Sequence, residues 1–324
     1  MKILDQSFGS CADLKQLFDP VSSEMAIVQL SQGPLLGRLQ SFSFGAFRLT
    51  LLECNQTLFL TGTRRPKPCT ISIPLKGHNN GEMVRAQGHP MPWNGMMGYN
   101  LNLKDYDLKT PRAILLATIL ISKDDLIQKI KDRTNSSLAL KRLEATNQLE
   151  FNTRTTKQLR DICTQLTESD GRSRRPESGD EILELILTEL TTTNRETLPI
   201  AQREIRHEAA IELLHWCVTH PEQHKNAEEL SNLLFQSRTS LFKGCQEHFQ
   251  QTMGQLQRSI RLDLARQLLL NQEKRRQLSL DGVGEISQHL GYSSRSHFAK
   301  RYEERYHELP VDTLKGQPAV GHKP

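Results

Sequence analysis

Near the C-terminal end of this chain, Arg295, Ser296, Lys300 and Arg301 fall at positions where, on a helix, they lie largely outside the apolar face made by Phe298 and Tyr302. Some fifty residues earlier, Arg238, Thr239, Phe242 and Lys243 repeat the pattern in weaker form. Arginine and lysine reach guanine O6 and N7 or phosphate oxygens, and a hydroxyl or an aromatic ring suits neighbouring base edges. Such residues on a short helix are what a groove-reading element needs. No other grouping offers comparable chemistry. The strand-rich region has only His78 and His89, with Glu53 and Glu82 as loose company, and no metal-ligand spacing. Gly-x-Ser-x-Gly, P-loop and Gly-x-Gly-x-x-Gly signatures are missing too. The sequence therefore predicts neither a catalytic residue nor a cofactor nor a metal.

The elements that must position these residues are legible. Val283–Leu290 reads as a short helix, Gly291 as a tight turn, and Ser294–Tyr306 as a second helix, which is a helix-turn-helix. Upstream, Asn226 caps Ala227–Leu234 and Ser237 caps Arg238–Gln250. Gly254–Leu270 is a long helix joining the two units. Gly244 is expected to weaken its helix by about 1 kcal/mol relative to Ala. Phe242 either meets thymine methyls or turns inward and packs. Lys274-Arg275-Arg276 lies in the connection Asn271–Gly282, as a solvated loop or a set of phosphate contacts.

The chain has 324 residues, a net charge of +5 and a pI of about 8.9. Charge does not mark the reading half: from Ala201 onward there are 17 basic and 15 acidic residues. Six scattered cysteines without a Cys-x-x-Cys pair fit reduced thiols in a cytoplasmic protein. No run approaches a membrane span or a signal peptide.

Five runs, Gly33–Leu39, Phe44–Glu53, Gln56–Thr61, Cys69–Leu75 and Arg112–Ile121, read as strands of a barrel or sandwich, with a turn at Gly77–Gly81. Trp93, Met96, Met97 and Tyr99 either line an apolar pocket or cover the sheet. Ser122 caps a helix, Arg154–Thr167 is another, and Asp170–Gly179 is a linker. Asp180 then caps a helix whose Ile182, Leu183, Leu185, Ile186, Leu187 and Leu190 need a core or a partner chain.

Arg261-Leu262-x-x-Ala265-Arg266-x-Leu268-Leu269, then Gly291-Tyr292-Ser293-Ser294-x-Ser296-x-Phe298 with Lys300 and Tyr302, then Leu309-Pro310, resembles the AraC/XylS family of bacterial transcription regulators. The resemblance covers about 110 residues, from near Gln202 to Lys315. Ser287, Lys300 and Tyr302 stand where the family has Ala, Arg and Phe. It implies an α+β chain. Residues 1–121 would be a β-rich, cupin-like barrel that senses an effector. Residues 122–198 would form a helical linker and dimerisation region, and 199–316 an all-α domain with two helix-turn-helix units joined by a long helix. Residues 317–324 would be a tail. It implies a DNA-binding transcription regulator, an activator by family habit, with double-stranded DNA, a second copy of the chain and RNA polymerase as partners, a small-molecule effector, and no membrane. Arg238, Thr239, Phe242, Lys243, Arg295, Ser296 and Lys300 would face bases or phosphates, and Arg258 and Arg301 would clamp the DNA backbone. A dimeriser that senses nothing, and a catalytic domain fused to a DNA reader, are the alternatives.

Overall fold

The computed structural model describes residues 1–18, 22–77, 82–91, 93–168 and 177–316. Most of the expected turn at Gly77–Gly81, the linker before Glu177 and the tail after Gly316 lie outside the described residues. In chain order the elements are β1 (Lys2–Phe8), α1 (Cys11–Phe18), β2 (Ser22–Gln29), β3 (Gly37–Ser43), β4 (Phe47–Cys54), β5 (Leu58–Arg64), β6 (Pro68–Lys76), β7 (Arg85–Ala86), β8 (His89–Pro90), β9 (Gly95–Met97), β10 (Asp105–Lys109) and β11 (Ile114–Ser122). Then come α2 (Lys123–Lys131), α3 (Ser136–Ala145), β12 (Gln148–Glu150), α4 (Thr153–Glu168), α5 (Glu177–Thr191), β13 (Thr197–Leu198) and α6 (Ile205–Thr219). Next follow α7 (Ala227–Leu234), α8 (Arg238–Gly244), α9 (Met253–Leu270), α10 (Gln272–Gln277), α11 (Val283–His289), α12 (Arg295–Tyr306) and α13 (Pro310–Lys315).

The strands form two sheets. One has eight strands in the order β1-β3-β4-β11-β6-β9-β12-β13, the other five in the order β2-β5-β10-β7-β8. Side chains alternate between faces along a strand, so each sheet serves two cores. On β11, Leu115, Ala117, Ile119 and Ile121 pack under α2–α5, while Ile114 and Leu116 point between the sheets. On β2, Met25 and Ile27 point between the sheets, while Ala26 and Val28 pack against the C-terminal helices. Ile182, Leu183, Ile186, Leu187 and Leu190 are all buried in the core beneath α2–α5, so the apolar face of α5 finds its cover within the chain.

Several boundaries differ from the sequence reading, each for a local reason. The expected strands 33–39 and 44–53 become the hairpin β3–β4, because Gly45 takes φ +73° and turns the chain after Ser43. Pro34, with no N–H to donate, sits before β3 rather than in it. Asp180 does not cap α5, which already begins at Glu177. Ser122 does cap α2, accepting from Asp125 N at 3.3 Å. The connection Asn271–Gly282 contains α10, whose Arg275 donates to the carbonyls of Leu268 and Leu269 and so closes the end of α9.

Candidate nucleic-acid interface

Two units present the basic residues. In the first, Asn226 and Glu229 form a capping box that starts α7, and Ser237 caps α8 by accepting from Ser240 N at 3.0 Å. In the second, Glu285 accepts from Gly282 N at 2.8 Å at the start of α11, and Ser294 accepts from His297 N at 3.3 Å to start α12. Between them runs α9, 18 residues and about 27 Å long, begun by a capping box of Thr252 and Gln255.

Arg238, Thr239, Phe242 and Lys243 are all exposed on α8, and Arg258 is exposed on α9. Arg295, Ser296 and Lys300 are exposed on α12. Phe242, for which inward packing was the alternative, is 51% exposed and turned outward. Arg301 is half-buried and engaged within its own helix, bonding Glu304 at 2.8 Å. Arg295 folds back across α11: a Cβ on Gly284 would come within 2.1 Å of its guanidinium.

The two exposed basic helices are built differently. Phe298, Tyr302 and Tyr306 are buried on α12, with ring centroids 5.8 and 4.7 Å apart, and Tyr292 closes the stack at 5.0 Å from Phe298. The first helix does not continue to Gln250 as a single α-helix. It is α-helical over Arg238–Gly244 and then makes a π-helical turn, Cys245–Phe249. Gly244 is no mere weak point: a Cβ there would sit 2.1 Å from the Arg206 carbonyl, so the glycine lets α8 press against α6. The turns differ as well. Gly291 takes φ +75° in the second unit, whereas Phe235 takes φ +52° in the first and is 95% exposed.

Long-range polar contacts that no local pattern announced tie this region to the N-terminal segment. Asp263 on α9 accepts from Cys11 N and Ala12 N at 3.0 and 3.2 Å, capping α1 from the far end of the chain. Burial pushes its carboxyl up, and those two amides work against the shift. Arg266 is buried, donates to Gly9 O at 2.9 Å and pairs with Glu308, which also accepts from Thr313. Arg305 donates to Gln29 O, and its own carbonyl accepts from Gly33 N at 2.8 Å. The first unit instead docks on the five-stranded sheet. Phe249 meets Phe59 edge-on at 4.9 Å, and His248 stacks on His207 at 3.8 Å. His207 lies 3.3 Å from the Asp107 carboxylate, an ion-pair distance rather than a directed hydrogen bond, and Arg203 bonds the same group at 2.8 Å.

The sequence of residues 230–316 matches the family model described as a helix-turn-helix domain, over roughly a quarter of the chain. That segment is a helix-turn-helix domain. No curated protein matches the chain. Among solved structures it is similar to a probable AraC family transcriptional regulator from Rhodopseudomonas palustris CGA009, at 22% identity over 34% of this chain and 99% of that one, with a TM-score of 0.31. It is similar to the AraC-like transcriptional activator CuxR at 10% identity, over 76% of this chain and 92% of that one, with a TM-score of 0.40. It is also similar to ToxT from Vibrio cholerae at 10% identity, over 92% and 98% of the two chains, with a TM-score of 0.32.

Other chemistry in the chain is quiet. Among the described residues no group of three or more His, Cys, Asp or Glu could hold a metal ion. All six cysteines are buried, and burial pushes the Cys54, Cys163 and Cys245 thiols up to about 12, so they stay protonated and poorly nucleophilic. No described helix is long and apolar enough to cross a membrane.

Proposed function

We propose that this chain is a sequence-specific DNA-binding activator whose α8 and α12 enter two successive major grooves, under the control of a small molecule bound in the N-terminal domain. The observation that carries the two-groove reading is the pair of exposed basic helices, α8 and α12, on either side of α9. Their separation suits grooves about 34 Å apart once the thickness of each unit is added to the roughly 27 Å of α9. Arg238, Thr239, Phe242 and Lys243 serve the first groove, and Arg295, Ser296 and Lys300 the second. Arg258 and Arg301 clamp phosphates, Arg301 after leaving Glu304. The domain limits at 121, 198 and 316, a homodimer and a contact with RNA polymerase rest on the family resemblance.

Control through the N-terminal domain is favoured by one feature of the five-stranded sheet. A cavity of about 100 Å³ lies against one of its faces, lined by Leu60, Tyr106 and Leu108 among others. The first helix-turn-helix unit sits on the opposite face, where Phe59 meets Phe249. Phe59 and Leu60 are neighbours on β5, which pairs with β10. An occupant that moves either strand therefore moves the docking surface of one reading unit and shifts the population able to bind DNA.

Genome-wide mapping of bound sites, followed by footprinting of one of them, tests the reading. Protection of two stretches one helical turn apart is expected, with affinity falling steeply as salt rises. Protection of a single stretch, or specific binding that survives loss of the basic residues on both α8 and α12, would sink it.

A further inference from the structure

Arg64 ends β5 and borders the cavity between the sheets, with only 6% of its surface exposed. Its Nη1 donates to Asn100 O at 2.7 Å. Its Nε and Nη2 are buried with no hydrogen-bond partner. The Cys69 thiol lies beside it, and burial raises that thiol's pKa, so it stays neutral and cannot balance the charge. Asp107 also borders the cavity, but its carboxylate is taken up by Arg203 and His207. A buried guanidinium with one whole edge unsatisfied is costly to hold, and a ligand that completes it removes the cost.

The free edge says what would complete it. Elsewhere in this chain Arg38 uses the same Nε and Nη2 pair to grip the Asp5 carboxylate side-on, at 2.6 and 2.7 Å. That fork matches a planar carboxylate. One guanidinium balances one negative charge, which disfavours a dianionic phosphate. The rest of the wall is largely apolar, with Leu52, Met97, Tyr106, Leu108 and Leu116 among its residues. Ser72 and Thr118 there bond each other at 3.1 Å. At about 100 Å³ the cavity is below the roughly 300–1,000 Å³ of drug-sized sites, so its occupant is compact. Met97 lies in this wall, while Met96 and Tyr99 pack in the core on the other side of the eight-stranded sheet.

We propose that the cavity between the two sheets binds a compact apolar carboxylic acid, with its carboxylate held side-on by Arg64 and its apolar body between the sheets. The inference names the ligand class for the control proposed above, and rests on that reading only for its consequence at DNA.

The test titrates the full chain with cyclohexanecarboxylate, with the neutral isostere cyclohexanecarboxamide and with oleate, by calorimetry. The acid is expected to bind and the amide to bind about 30-fold more weakly or worse. Arg64→Gln is expected to lose binding of the acid to a similar degree, with an unfolding midpoint no lower than the parent's, because an unpaired buried charge has gone. Should that variant fail to fold, the Arg64 Nε–H resonance of the parent chain serves instead: it shifts with the acid and not with the amide. Equal binding of acid and amide, no binding of the acid, or undiminished binding by folded Arg64→Gln overturns the proposal. Binding of oleate in preference to the compact acid overturns the size argument. Binding of the acid with unchanged DNA affinity leaves the ligand class standing and overturns ligand control.

Discussion

The two helix-turn-helix units share a pattern of residues but obtain their stability from different places. The second carries its own core: Tyr292, Phe298, Tyr302 and Tyr306 stack within it, and Leu262, Leu268 and Ile286 complete the cluster. Its ties to the N-terminal segment are polar, through Asp263 and Arg266 of α9 and Arg305 of α12. The first shares its core with the five-stranded sheet, for Ala26, Val28 and Phe59 belong to the same cluster as Leu241, Cys245 and Phe249. Its reading helix is short, ends in a π-helical turn and follows a strained Phe235. A unit packed on another domain answers to what that domain does, and a unit packed on itself does not. On the proposed reading, the first is the place for control and the second for anchorage.

The largest effect should come from the shared core. Phe249→Ala is expected to cost about 3–5 kcal/mol. Hydrogen exchange should then show α7 and α8 opening while α12 keeps its protection. Equal loss of protection in both units would erase the distinction. Next in size is the contribution to DNA binding. Lys300→Ala should cost more specific affinity than Lys243→Ala, by about 1–2 kcal/mol within the range of a single base contact. Anisotropy titrations against sites mutated in either half measure this, and matched losses count against an anchoring second unit.

Phe235 offers a smaller and more pointed comparison with Gly291. A non-glycine residue in the left-handed region costs roughly 1–2 kcal/mol, and glycine gives part of that back as unfolded-state entropy. Phe235→Gly should therefore raise stability by about 0.5–1 kcal/mol, read as a higher unfolding midpoint. A lower midpoint would mean that the exposed ring has a partner. The smallest effect is that of pH. His248 is held down at about 4 by burial and then by His207, with Arg85 adding to the depression and Asp107 and Glu204 opposing it. The folded pKa lies below the unfolded value of about 6.5. The docked first unit thus gains stability above pH 6.5 and loses it as pH falls from 6.5 toward 4. The second unit has no counterpart to the His207–His248 stack, so its exchange should change less over that window. His248→Gln should flatten the response of the first.

How much of this was legible depended on how local its cause is. The capping residues Ser122, Asn226 and Ser237 act within three residues, and each caps the helix expected of it. Strands β1, β2 and β10 were harder to see. In β10, Asp-Tyr-Asp-Leu-Lys hides two cavity-side residues, Tyr106 and Leu108, among charged residues. The candidate base-side residues came from the family resemblance, together with the rule that the polar residues of a helix lie off its apolar face. Arg64 and Asp263 were not found, because nothing near them in sequence distinguishes them from other charged residues.

The sequence alone determined the second reading unit, the long α9 and the exposed basic set on α8 and α12, since each follows from periodicity, caps and spacing within a few turns. Only the tertiary structure decided where those units are held. The clasp of Asp263 on Cys11 and Ala12 joins residues about 250 positions apart. The His207–His248 stack, the close approach at Gly244 and the unsatisfied edge of Arg64 likewise exist only once the sheets and helices have met. Local pattern fixes an element by the residues within it, whereas burial, charge pairing and cavities are properties of what the fold brings against it.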